Sequence, residues 1–230
     1  MSFKLDTLEA MQLQRKFEAL ARDQFFGVPV KDFAFAGREQ LAYLMDAGLK
    51  QDSQVLDIGC GVLRAGYWLI HYLDPGCYCA IEPHRGRLEL GTHSILEPEI
   101  LRSKKPRFDS NANFDTSVFG EKFDFFLAYS IWTHACKRQI ENMLNGFIRD
   151  ANDRAAFLLT YQPSGWRHPD YNGDHWVGTS HESEVAGTIA HSFGWIKRQC
   201  QMRGLSISKM KRDKAHRHRW LEIRKTQWGR

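Results

Sequence analysis

Val55-Leu-Asp-Ile-Gly-Cys-Gly61 is the stretch on which the reading of this chain turns. Residues 54–58 form a short apolar run with one carboxylate, Asp57, inside it. Gly59 and Gly61 follow at once, and apolar residues resume at helical spacing over Tyr67–Leu73. Strand, glycine turn and helix in that order open a parallel β-α-β unit. The glycines permit the tight turn and the close approach of a ligand to the backbone. A dinucleotide fingerprint needs G-x-G-x-x-G. Here the third position is Arg64, and Gly66 comes two residues late.

Further strands are expected downstream. Tyr78–Glu82 is a second apolar run, Pro106–Asn111 a weak third, Phe123–Ala128 a strong fourth and Ala155–Thr160 a fifth. The fifth follows a helix around Arg138–Asp150. Strands separated by helices imply parallel units with right-handed crossovers. Upstream, Asp6 and Glu9 have the spacing of a helix cap and its partner, so residues 6–24 are read as a leading helix, with Leu8, Phe17 and Leu20 as its stripe. Arg38–Ala47 is a second helix, stopped by Gly48. Downstream, Thr179 with Glu182 three residues on suggests a helix over Glu182–Met202. Leu205–Met210 and Trp220–Arg224 then suit an antiparallel hairpin joined by a basic loop.

Asp57 decides what the glycine turn receives. A dinucleotide would bring its pyrophosphate there, and the carboxylate would repel it. S-adenosylmethionine has no phosphate and presents an ammonium and a sulfonium, which a carboxylate attracts directly or through water. The helix-start N–H groups after Gly61 remain for the ligand's own carboxylate. Glu82 ends the second strand, 23 residues after Gly59. At the carboxyl edge of a parallel sheet its two oxygens suit two ribose hydroxyls.

Val55–Gly61, Ala80-Ile-Glu82 and Phe123-Asp-Phe-Phe-Leu-Ala-Tyr-Ser130 resemble, in order and spacing, the successive motifs of class I S-adenosylmethionine-dependent methyltransferases. The resemblance spans about Gly37 to Lys225. It implies an α/β Rossmann-like fold, a three-layer α/β/α sandwich around a mostly parallel seven-stranded sheet that ends in an antiparallel hairpin, with helices ahead of it. The whole chain is then one methyltransferase domain, residues 1–36 being a helical extension. By position, Asp57, Gly59, Cys60 and Gly61 match the methionine-binding loop, and Glu82 the ribose carboxylate. Asn113-Phe114 falls where the family places an acidic residue for the adenine amine; Asn113 departs from that pattern, though its side-chain oxygen can still accept the bond. Tyr129-Ser130 ends the fourth strand, where cofactor and acceptor meet in the family. Arg64 is unusual at that helix start and either pairs with the cofactor carboxylate or covers the helix.

Methyl transfer is an in-line displacement at an activated carbon, so the protein's main task is alignment, which removes roughly 7–11 kcal/mol of barrier. An oxygen acceptor also needs a base, whereas a neutral amine can attack first. His134, in Ser130-Ile-Trp-Thr-His134, is the candidate base, with an ordinary pKa of about 6.5. The alternative is a helix-start histidine bonded to backbone. His168, His175 and His181 are rivals on the irregular segment 161–181, read as the acceptor-binding loop. Its Tyr161, Trp166, Tyr171 and Trp176 either hold the acceptor, by stacking on a sugar or planar ring, or pin the loop to the core. Asp170-x-Asn172-x-Asp174 starts like a calcium loop, but His175 and His181 stand where Gly and Glu belong, so no metal is expected.

The remaining expectations are compositional. The chain has 230 residues, 43% of them apolar, enough for one α/β domain. It has no apolar run of about 20 residues and no signal-peptide pattern, so a cytoplasmic protein off the membrane is expected. Five cysteines with no C-x-x-C pair suggest buried, reduced packing residues. The net charge of +5 is uneven: residues 197–230 hold 12 Lys/Arg against 2 Asp/Glu, or +10, leaving −5 for the rest. Such a segment is either a solvated hairpin or a nucleic-acid surface. The expected acceptor is a small molecule methylated at O or N. The alternative is an RNA-binding module or an RNA methyltransferase using the basic segment.

Overall fold

A computed structural model describes residues 7–22, 25–27, 29–210 and 218–226. The cap expected at Asp6 and the basic loop at 211–217 lie outside the described residues. The fold is mixed α/β, with seven strands in a mostly parallel sheet and an antiparallel hairpin at the C-terminal end. The chain divides into two compact units, residues 1–110 and 111–230.

The first unit opens with helices α1 (Thr7–Leu20) and α2 (Phe33–Asp46). Phe17 of α1 stacks on Phe33 of α2, with ring centroids 3.7 Å apart. The second helix thus begins five residues before Arg38, because Phe33 and Ala34 are core residues rather than linker. Strand β1 (Val55–Ile58), helix α3 (Arg64–Tyr72), strand β2 (Tyr78–Ile81), helices α4 (Arg85–Leu90) and α5 (Pro98–Lys104), and strand β3 (Arg107–Asp109) follow. The strands are parallel, in the order β3-β2-β1, with Asp57 opposite Ala80. Every residue of β1 and β2 is buried, which explains why they read as apolar runs with Asp57 as the one charged residue.

The second unit holds β4 (Phe123–Ala128), α6 (Lys137–Asp150), β5 (Ala151–Tyr161), α7 (Phe193–Met202), β6 (Leu205–Lys209) and β7 (Arg219–Lys225). Here β4 and β5 are parallel, whereas β5–β7 and β7–β6 are antiparallel. Phe126, Phe147 and Phe157 make edge-to-face and tilted contacts in its core, with Trp132 against Phe157. Each such ring removed from water contributes about 1.5–3 kcal/mol.

Two further readings are corrected. The fifth strand starts at Ala151, not Ala155: Ala151 pairs with Phe123, and Asn152 donates to Asp124 at 2.7 Å. The last helix covers only Phe193–Met202, capped by the Ser192 hydroxyl. Residues 182–192 are not helical, because their backbone is claimed by other segments. Ile189 N–H donates to the Thr133 carbonyl and His191 N–H to that of Gln162, and Gly187 stands at a φ of +152°. Among the described residues, no helix is long and apolar enough to cross a membrane, and no group of three potential ligands could hold a metal ion.

Candidate active site

Within the first unit, the chain leaves β1 through a turn in which Gly59, Gly61 and Leu63 have positive φ, of 73°, 58° and 62°. A left-handed leucine is strained, and such strain gathers where a loop is held for a purpose. Two buried carboxylates meet this turn. Glu82, 4% exposed, accepts from Gly61 N–H at 2.7 Å and from His84 N–H at 2.9 Å. The Gly61 donor is therefore taken by Glu82 itself, and the N–H groups expected to serve a ligand are those after it. Each carboxylate oxygen keeps a second lone pair for a ribose hydroxyl.

Asp57, 3% exposed, accepts from the Tyr78 hydroxyl at 2.8 Å. Burial pushes its carboxyl up to about 7 and the Glu82 charge adds to this, while the Tyr78 bond and the Arg64 guanidinium oppose it. Cys60 is also buried, and burial, then Asp57 and Glu82, push its thiol up, so it stays protonated. Carboxylates of this kind at a glycine turn form a receptor for a cation and for hydroxyl donors, and they oppose a pyrophosphate.

Tyr78 was missed in the sequence. The only trace of it was the late glycine of the motif. A Cβ at Gly66 would lie 2.6 Å from the Tyr78 hydroxyl, so the glycine makes room for the bond to Asp57.

The second unit holds the other expected residues. His134 sits in the turn before α6, half-buried, two residues ahead of the N-cap Cys136. Its Nδ1 lies 2.7 Å from the Val177 carbonyl, and Val177 N–H donates back to the His134 carbonyl at 3.0 Å. A carbonyl can only accept, so Nδ1 carries the proton, and in the neutral ring the basic lone pair is on Nε2. The imidazole stacks on Trp176 at 5.4 Å and 18°. Phe114, at a φ of 53°, and His181 pack on the same indole at 6.0 and 5.7 Å. Gly178, at a φ of +121°, closes the group: a Cβ there would lie 2.3 Å from His134 Nδ1.

The structure thus brings His134, Trp176, Phe114 and His181 together. It does not gather the other aromatic residues there. Trp166 is 96% exposed, on a turn held by mutual backbone bonds between Gly165 and His168. Tyr161 is buried on β5 beside Phe193, and the Tyr171 hydroxyl donates to the His175 carbonyl. His168 and His175 are exposed. Asn113 is exposed ahead of buried Phe114, and Tyr129 packs on Trp220 at 5.3 Å. Ser130, at a φ of 61°, donates its N–H to Thr160 Oγ1 at 2.7 Å.

Solved structures share this fold. The chain has the class I methyltransferase fold. It aligns over 98% of its length with the whole of magnesium protoporphyrin IX methyltransferase from Synechocystis PCC 6803, at a TM-score of 0.61 and 15% identity. It also aligns over 81% of its length with 92% of the glycopeptide N-methyltransferase MtfA, at 0.59 and 12%. A ribosomal protein L11 methylase from Lactobacillus delbrueckii subsp. bulgaricus matches over 83% of this chain and 78% of its own, at 0.54 and 11%. No family model and no curated protein sequence matches this chain.

Proposed function

We propose that this protein is an S-adenosylmethionine-dependent methyltransferase that acts on a small-molecule acceptor at oxygen or nitrogen. The observation that carries the reading is the pair of buried carboxylates, Asp57 and Glu82, on the glycine turn after β1. The fold supports it, since both the magnesium protoporphyrin IX enzyme and MtfA were solved with the cofactor bound.

In this reading Asp57 receives the cationic methionine portion and Glu82 the ribose hydroxyls, with Gly59, Cys60 and Gly61 admitting the ligand to the backbone and Arg64 offering a cation at the helix start. When bound, S-adenosylmethionine supplies a methyl group on a positive sulfur, ready for in-line displacement. Asn113, Phe114, Tyr129 and Ser130 are carried over as further cofactor residues on resemblance. His134 is the proposed base: its Nε2 takes the acceptor's proton while the Val177 carbonyl and the Trp176 ring hold the imidazole in one tautomer and one plane. Among the four aromatic residues proposed for the acceptor, Tyr161, Trp166, Tyr171 and Trp176, only Trp176 lies in the His134 cluster.

The fold itself does not select the acceptor, because the neighbours' names span a porphyrin, a glycopeptide and a ribosomal protein. Calorimetry with S-adenosylmethionine and with NAD tests the cofactor. Binding of S-adenosylmethionine alone is expected, and binding of NAD alone overturns the reading. RNA affinity that is tight and falls steeply with salt would move the acceptor from small molecule to RNA.

A further inference from the structure

The cofactor carboxylate of this chain has a dedicated partner that the glycine motif alone does not call for. Asp57 is sealed on β1 with its Oδ2 on the Tyr78 hydroxyl, and that hydroxyl fits only because residue 66 of α3 has no side chain. Tyr78 is 2% exposed, and burial together with the Asp57 charge holds its phenol protonated, so it always donates. The other groups that act on Asp57 are Glu82 after β2, Arg64 on α3 and the Cys60 thiol of the turn. Arg64 favours the charged carboxylate and Glu82 opposes it. Tyr78 is the neutral donor that tips Asp57 towards its charged form.

We propose that Tyr78 is a positioning residue for cofactor capture: its hydroxyl orients Asp57 and favours the carboxylate form that the cationic ligand meets. The proposal rests on the cofactor reading above. Its chemistry is a simple balance. In the free protein near neutral pH, Asp57 is partly a carboxylic acid, whose O–H proton offsets no cation. The arriving ammonium replaces that proton as the positive partner of the carboxylate, and the proton leaves to buffer. Affinity should then rise about tenfold per pH unit while Asp57 is protonated in the free protein, and level off above it.

Calorimetry with S-adenosylmethionine from pH 5.5 to 7.7 tests this; the ceiling keeps about half or more of the ligand's amino group charged. Two buffers of different ionisation enthalpy count the protons released. The wild-type protein should show rising affinity that bends near pH 7, with close to one proton released at the acid end. Tyr78→Phe keeps the ring and loses the hydroxyl. It should move the bend upward by about one unit, so that affinity falls roughly tenfold at pH 5.5, roughly fivefold at pH 7 and only about two- to threefold at pH 7.7. Asp57→Asn should bind weakly, with no bend. A merely structural Tyr78 would weaken binding equally at every pH and leave the bend where it was, and that result overturns the proposal. So does a flat wild-type profile. Loss of S-adenosylmethionine binding in the wild-type protein at all pH values would instead remove the cofactor reading itself, so the two failures are distinct. Thermal melts of Tyr78→Phe confirm that the variant measured is folded.

Discussion

His134 and Gly178 form the sharpest pair at the residue scale. If His134 is the base, His134→Ala should lower turnover by roughly 10²–10⁴-fold and leave S-adenosylmethionine affinity unchanged. Gly178→Ala should reach the same step from outside: its methyl would collide with Nδ1 and break the bond to Val177 that fixes the tautomer. A lower kcat with a displaced acid limb of the pH–rate profile is expected from it. Steady-state kinetics with the acceptor saturating checks both, and normal turnover in the alanine variant at 134 would leave transfer to alignment alone. Glu82 differs from what its motif suggests. It holds two backbone donors besides any ribose, so Glu82→Gln should weaken the cofactor and also lower stability by about 1–3 kcal/mol. A denaturant melt without ligand separates those two effects. A variant as stable as the wild type would mean that the Gly61 and His84 bonds contribute little.

Legibility in the sequence followed the period of each element. Strands β1, β2, β4 and the 155–161 part of β5 were visible because burial on both faces leaves a nearly continuous apolar run, interrupted by Asp57 in β1 and Asp124 in β4, and the glycine turn was visible because it is a motif. Residues 182–192 were misread as helix because Thr179 and Glu182 imitate a capping box. The Glu182 carboxylate is in fact spent on Gln139 and on the Trp176 backbone, a tertiary use that local spacing does not reveal. Tyr78 and Gly178 were invisible for the same reason, since each matters only through a residue distant in sequence. The Tyr161–His191 segment gives a prediction at this scale. Asp170 ties it down, taking Lys137 Nζ at 2.8 Å and the Ser192 N–H that opens α7. Burial works against the charged form, but those two bonds hold the carboxyl below its usual range. A depressed carboxyl contributes stability above the unfolded pKa and loses it as pH falls through the folded value. Asp170→Ala should therefore destabilise by about 1–3 kcal/mol at pH 7 and by less near pH 3. It should raise the acceptor's KM more than it lowers cofactor affinity. Melts across pH, with separate titrations of the two substrates, check this.

For the whole molecule, the buried Asp57 carboxyl is a stability defect. Asp57 is raised from 3.8 to about 7 by burial. A raised group stabilises the fold below its unfolded pKa, and that contribution is lost as pH rises through the folded value. Between pH 5.5 and 8 the unfolded chain has already released this proton, and the folded protein is only then forced to. Linkage with these two values gives a loss of about 2 kcal/mol across that window. His191 acts the other way. It is buried, with its pKa lowered, so it removes stability as pH falls below its ordinary value. The two slopes overlap in the wild-type melt and cannot be separated there. Asp57→Asn separates them, because it removes the first slope and keeps the second. The variant should gain on the wild type as pH rises, by about 2 kcal/mol from pH 5.5 to 8, or roughly 4–8 °C in Tm for a chain of this size. The asparagine must still be satisfied beside Tyr78, so an offset common to all pH values is expected, and the test lies in the slope of the difference. Saturating S-adenosylmethionine at pH 8 should raise the wild type relative to the variant, since a ligand at a hundredfold its Kd adds about 2.7 kcal/mol to the wild type and little to the variant. Parallel pH profiles for the two proteins would mean that Asp57 is ionised in the free fold at ordinary cost. In that case the turn is a site already charged for its cation, and ligand binding releases no proton.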